Sequence, residues 1–194
     1  MIKKIVVLVS ILFFSLAIHP VIAQENGNKI APELDKIATA EYKLPYPGML
    51  PSSPLYKLKT LRDKFVLALI TDPQKKAAKH LQLADRQLFE ALKVAESGDI
   101  PLAIHSAFKG EHQMTQLVDN LKSAIYSGEK LDLELTDKAH SASFRHLELL
   151  TGMKARANDK NQIEQFSTIM EFSHRNNNEL YTLETEATAS AQQE

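Results

Sequence analysis

The chain has 194 residues, 23 Lys and Arg against 24 Asp and Glu, and neither cysteine nor tryptophan. One modest domain fits that length, and an apolar share of 44% is enough to build a core. Near-neutral charge argues against a nucleic-acid binder, and the lack of cysteine excludes disulfides, thiolate metal sites and thiol nucleophiles.

Residues 1–23 read as an export leader. Lys3 and Lys4 form a positive start, Ile5 to Ile18 is an apolar run, and Val21-Ile22-Ala23 suits cleavage before Gln24. The competing reading is an uncleaved N-terminal membrane anchor. Against it, the run falls short of the roughly 20 residues a bilayer requires, and Pro20 interrupts its end. Both readings place the remainder outside the cytoplasm, in the periplasm or secreted. Loss of the two leader lysines leaves 21 basic against 24 acidic side chains. No second apolar run approaches spanning length, so the body is expected to be soluble.

Residues 24–43 are polar, with room for a short helix near 33–40. Four of the eight prolines then fall between Pro45 and Pro54, and none occurs after Pro101. Each lacks an amide donor and biases its predecessor to extended backbone, so residues 44–53 are expected to form an extended strap. From there one device recurs. Ser53-Pro54 and Asp72-Pro73 place a capping side chain before a proline at the first helical position, and Asp99 caps again with Pro101 inside the first turn. Gly98 and Gly128 suit the left-handed residue after a helix end, and Asp159 to Gln162 resembles a capping box. Five helices are predicted, over 54–70, 73–96, 100–126, 133–155 and 160–187.

The apolar spacing agrees. Leu55, Leu58, Leu61, Phe65 and Leu69 mark a stripe on the first, and Val66, Leu67 and Ile70 enlarge it; being short and apolar on more than one side, this helix is expected to pack across the bundle or at its end. Ala77, Leu81, Ala84, Leu88, Ala91 and Ala95 step by fours and threes on the second. Ile104, Ala107, Met114, Val118, Leu121 and Ile125 repeat that pattern on the third. Leu135, Ala139, Ala142, Leu149 and Met153 form the fourth series; Ile163, Phe166, Met170, Leu180 and Leu183 form the fifth. No segment alternates with period two. The fold class is therefore all-α: an up-down bundle of about five helices over 54–187, preceded by the strap, with a frayed tail at 188–194.

One stretch is distinctive: Leu44-Pro-Tyr-Pro-Gly-Met-Leu-Pro-Ser-Ser-Pro-Leu-Tyr-Lys-Leu-Lys59, then Leu61-Arg-Asp63, Asp72-Pro-Gln-Lys-Lys-Ala77 and His80-Leu-Gln-Leu-Ala84. It resembles an uncharacterised bacterial extracytoplasmic domain family, a domain of unknown function whose members follow a signal peptide or a membrane segment. The resemblance implies an exported helical domain and brings no activity. Physically, Pro45, Pro47 and Pro51 stiffen the arm and Gly48 permits a turn. Tyr46, Met49, Leu50 and Tyr56 could press it onto the groove between the first two helices. The alternative is a proline-rich ligand captured by an aromatic-lined partner. Pro45, Tyr46, Pro47, Gly48, Leu55 and Tyr56 are the interaction candidates; the strap is the simpler account.

Candidate chemistry is sparse. His105 and His112 stand two turns apart, and no His-x-x-x-His pair exists. Glu171-Phe-Ser-His174 is a single Glu-x-x-His, where a di-iron carboxylate site needs two copies. A polar layer inside the bundle is the more specific possibility. Glu111 interrupts the third stripe, His146 the fourth, and Ser173, Asn176 and Asn177 the fifth, with His174 beside them. Such a layer could fix register or hold a small cation. The simpler account lets Gly110 make the core contact and sends Glu111 to solvent. His80 is expected to pack half-buried with one nitrogen bonded locally. Lys57, Lys59, Arg62 and Lys64, followed by Lys75, Lys76 and Lys79, read as a solvated face able to attract acidic lipid or polyanionic envelope material.

No nucleophile elbow, phosphate loop or zinc-protease motif is present. The reading is an exported helical structural or interaction module of the bacterial envelope, with no catalytic residue, metal or cofactor assigned and an envelope protein or a second copy as partner. The alternative is an extracytoplasmic metal or small-ligand sensor using Glu111, His146 and His174.

Overall fold

The computed structural model describes residues 42–191. The expected leader over 1–23, the helix near 33–40 and residues 192–194 lie outside the described residues. Five helices follow in chain order: α1 (Tyr56–Leu69), α2 (Pro73–Glu96), α3 (Ile100–Tyr126), α4 (Leu133–Lys154) and α5 (Lys160–Ala191). All the regular structure among the described residues is helical.

Local chemistry sets the boundaries. Asp72 accepts from the Lys75 amide at 2.9 Å with Pro73 in the first turn. Asp99 accepts from Leu102 at 3.1 Å, and Asp132 caps α4 through Leu135 at 3.0 Å. Asp159 accepts from the Gln162 amide at 2.9 Å while the Gln162 side chain reaches back to the Asn158 amide at 3.0 Å, a reciprocal box. Gly98 and Gly128 take φ of 91° and 82°, closing α2 and α3 in the left-handed region. The expected Ser53 cap is corrected: α1 begins two residues later, with Leu55 at its cap position and no side-chain cap, and Ser53 contributes through its backbone, its carbonyl accepting from Tyr56. The last helix runs on to Ala191, past the predicted end at 187, because its Ala and Thr residues place no breaker there.

Helices α2 to α5 make the bundle. The end of α2 (Leu88, Ala91, Val94, Ala95) packs with the start of α3 (Ile100, Ala103, Ile104, Ala107), the end of α4 (Leu149, Leu150, Met153) and the start of α5 (Phe166, Ile169). At the other end Ala77, Leu81 and Ala84 meet Met114, Leu117, Val118 and Leu121, Leu135, Ala139 and Ala142, and Leu180 and Leu183. Consecutive helices therefore alternate in direction, while α2 runs parallel to α4 and α3 parallel to α5. Two hairpins, α2–α3 and α4–α5, are stacked side by side, and the turn between α3 and α4 joins helices that are scarcely in contact. Gly110 allows the close approach of α2 and α3: a Cβ there would lie 1.9 Å from Leu88 Cδ2.

Candidate functional site

Between the two apolar clusters lies a polar layer. Asp85 of α2, Glu111 of α3 and His146 of α4 are all buried, His146 completely. His146 Nδ1 stands 3.1 Å from Glu111 Oε1 and its Nε2 3.1 Å from Asp85 Oδ1. Burial opposes a charge on the ring, but the hydrogen bonds to Asp85 and Glu111 and the two negative charges outweigh it, and the pKa is pushed up to about 9. The group is an imidazolium donating from both nitrogens to two carboxylates. α5 joins through Asn176, whose amide donates to the Glu111 carbonyl at 3.2 Å and whose oxygen accepts from Thr115 at 3.0 Å. All four bundle helices thus meet in one layer.

The segment before α1 is fastened to the same layer. Tyr42 donates to Asp85 Oδ2 at 2.7 Å, and burial, followed by the Asp85 charge and that hydrogen bond, holds its hydroxyl well above the usual phenol range. Leu44 packs on the Leu88 cluster, and Pro47 is buried. Tyr46 and Met49 stay exposed, so the expectation that they press the arm down is corrected: Tyr42, Leu44 and Pro47 do so. Pro45 lines the edge of a cleft shared with α2 and α4, and Gly48 turns the chain at φ 75°.

A second polar lock holds α1. The buried Lys59 ammonium donates to the Pro47 carbonyl at 2.8 Å, to the Met49 carbonyl at 3.2 Å and to Glu90 Oε1 of α2, so each of its three protons has an acceptor. Tyr56 donates to the other Glu90 oxygen at 2.9 Å, and the ammonium groups of Lys59 and Lys109 each stand over its ring, 5.3 Å from the centroid. Asp63, one turn after Lys59, also faces inward and is held by Arg62 at 2.8 Å. α1 therefore turns Lys59 and Asp63 to the bundle, with Val66 and Leu67 partly buried beside them. The expected packing of its stripe is overturned: Leu55, Leu58, Leu61, Phe65 and Leu69 are 57–66% exposed. Rolling the helix over would bury the stripe but strand Glu90, one of the most deeply buried carboxylates, without its cation.

Glu111 and His146, two of the three residues singled out for the polar layer, meet there, with Asn176 beside them; sending Glu111 to solvent is thereby corrected, since it is 1% exposed. His174 does not join them. It faces outward from α5, as does Glu171, because Ser173 and Asn176 occupy the inward positions. Ser173 is buried, and Asn177 accepts from His140 Nδ1 at 2.8 Å. His80 is more deeply buried than expected and donates from Nδ1 to Gln113 at 2.7 Å; burial holds its pKa below the ordinary histidine value. His105 and His112 are exposed. Of the basic cluster, Lys57, Arg62 and Lys64 face solvent while Lys59 does not. Asp85 went unnoticed in the sequence, although Leu81, Asp85 and Leu88 follow the same four–three spacing that exposed Glu111 and His146. Among the described residues, no group of three His, Asp or Glu side chains is placed to hold a metal ion, and no helix is long and apolar enough to cross a membrane.

The model of a domain of unknown function (DUF5667) matches residues 48–192, and the chain belongs to that family. The match takes in all five helices and begins at the turn glycine of the strap. No curated protein and no solved structure gives a significant match to the chain.

Proposed function

We propose that this chain is an exported, non-catalytic interaction module of the bacterial cell envelope, in which a four-helix bundle holds α1 with its apolar face turned outward for a partner. The observation that carries the reading is the orientation of α1: four large apolar side chains of the helix, and Leu55 at its cap, point to solvent while Lys59 and Asp63 point inward. A strip of that size on one short helix is the sort of surface that marks an interaction site. The leader-like sequence over 1–23 supports an address outside the cytoplasm.

A sensor using the polar layer draws support from Glu111 Oε2, Ser143 Oγ and Ser173 Oγ, which are buried without a hydrogen-bond partner among the described residues. Both ring nitrogens of His146 are already engaged, however, so a metal could bind it only by breaking one of two 3.1 Å contacts. The layer is better suited to fixing helix register.

The test is site-specific photo-cross-linking in cells from Leu58 and Phe65, with exposed Glu164 of α5 as reference. Adducts with an envelope component, protein or lipid, are expected from α1 alone. Equal labelling from all three positions would remove the basis for the reading.

A further inference from the structure

We propose that the outward face of α1 docks on an anionic lipid surface, settling into the interfacial layer with its apolar side chains among the acyl chains and its basic margins among the headgroups. This rests on the reading of the chain as an interaction module and names what its face meets.

The strip has the right form. Leu58, Phe65 and Leu69 lie along its centre, with Leu55 and Leu61 to either side, all more than half exposed. An α-helix of 14 residues is about 21 Å long, a length that lies in a bilayer surface rather than through it. Docking needs no rearrangement, because Lys59, Asp63 and Tyr56 are engaged on the opposite side.

Charge then chooses among occupants. Lys57 and Lys64 are exposed on one flank, and burial holds Lys109 of α3 below the ordinary lysine range against the pull of Glu90, with Lys59 and then Lys64 adding to the shift. On the other flank, burial and then Arg86 and Arg62 hold Lys79 of α2 below the ordinary lysine range, while Asp63 opposes the shift. The one carboxylate of the helix, Asp63, is turned inward and pairs with Arg62 at 2.8 Å, so the positive margin of the strip rests on Lys57 and Lys64. Where α1 ends, Ile70 lines an open cleft of about 550 Å³ that carries Lys43, Lys75, Lys79 and Lys138 along its walls. Pairing two copies through this strip would set the Lys57 and Lys64 flank against its own counterpart, like charge facing like. An anionic bilayer offers an apolar interior beneath a negative surface, the arrangement that an apolar strip with basic margins complements.

The chain has no native cysteine, so a single introduced thiol is unique. Full-length protein carrying Leu61→Cys is labelled with a polarity-sensitive fluorophore, beside an Glu164→Cys reference on α5. It is titrated with vesicles of phosphatidylcholine alone or mixed with phosphatidylglycerol. The α1 label is expected to leave water with the mixed vesicles while the α5 label does not. Adding Lys57→Glu and Lys64→Glu to the labelled protein should weaken vesicle affinity on the order of ten-fold or more, as should raised salt. Three results overturn the proposal: an α1 label that stays in water with anionic vesicles, one that responds equally to neutral vesicles, or one that leaves water without lipid as protein concentration rises. The last would assign the face to a second copy and leave the interaction module standing. A label unmoved by lipid, together with protein adducts from Leu58 and Phe65, would also spare the module. No signal in either experiment would remove both.

Discussion

Glu111 of α3 and His146 of α4 meet at 3.1 Å in a layer closed to solvent, and Asp85 of α2 grips the same ring from its other nitrogen at the same distance. An imidazolium between two carboxylates is costly to bury and more costly to break: removing one member leaves charge in a dry interior. Because the three residues stand on three helices, the layer admits one axial alignment of α2, α3 and α4. Sliding one helix by a turn, which apolar packing alone would tolerate, would strand these groups.

The same layer makes stability depend on pH in a defined direction. The folded-state pKa of His146 is about 9, above the ordinary value of 6.5, so the native state binds this proton more tightly than the unfolded chain. Its stabilisation is complete below about 6.5 and is lost as pH rises through 9. The loss should be of the order of 3 kcal/mol across that interval. Urea unfolding at pH 6 to 10 checks this, with His146→Gln expected to be less stable at pH 6 and to lose most of the slope. A wild-type curve flat across the interval would contradict it.

Lys59 and Glu90 hold α1 and the strap. Lys59→Met should destabilise the chain by about 3 kcal/mol, because Glu90 is left buried without its cation. It should also release the arm, since the Pro47 and Met49 carbonyls lose their donor. Limited proteolysis should then cut between residues 48 and 70 before the bundle unfolds. Pairing it with Glu90→Gln should restore part of the stability, which a double-mutant cycle measures.

The helices were legible because their punctuation is chemical: Asp72, Asp99 and Asp159 must accept amide protons wherever a helix starts, whatever it packs on. The polar layer was half legible, since Glu111 and His146 break apolar series that otherwise run unbroken. His174 was misplaced because adjacent helical residues are turned by about 100°, and Ser173 is the one that faces in. The orientation of α1 could not be read. Spacing identifies an apolar face but not the surface opposite it, and the partner of Lys59 lies 31 residues away. A weaker sign was present in α2, where Leu83, Gln87, Glu90 and Val94 form a second series that a polar neighbour would have to cover.

An outward apolar face can be tested through stability alone. Leu58→Gln, Leu61→Gln and Phe65→Gln together should change the unfolding free energy by less than about 1 kcal/mol, because these side chains are already in water. Leu81→Gln in the core is the contrast, with an expected loss of about 3 kcal/mol or more. If the triple substitution unfolds the domain as the core change does, α1 buries the face assigned here to solvent.

The approach of α2 to α3 gives the last prediction. Gly110→Ala would put a methyl carbon 1.9 Å from Leu88 Cδ2 and 3.3 Å from the Ala84 carbonyl oxygen. The side-chain clash can be relieved by a rotamer change at Leu88, but Leu88 is fully buried and any new position must displace its neighbours. The tighter limit is the backbone carbonyl, which moves only if the helices separate. A loss of about 1–3 kcal/mol is expected, read as a lower thermal midpoint. Glycine at position 152, with nothing within 4 Å of an added Cβ, supplies the internal control. Gly152→Ala should leave the midpoint unchanged or raise it slightly, since alanine is the better helix former. Equal destabilisation by both would mean that helix propensity, rather than contact between α2 and α3, governs these positions.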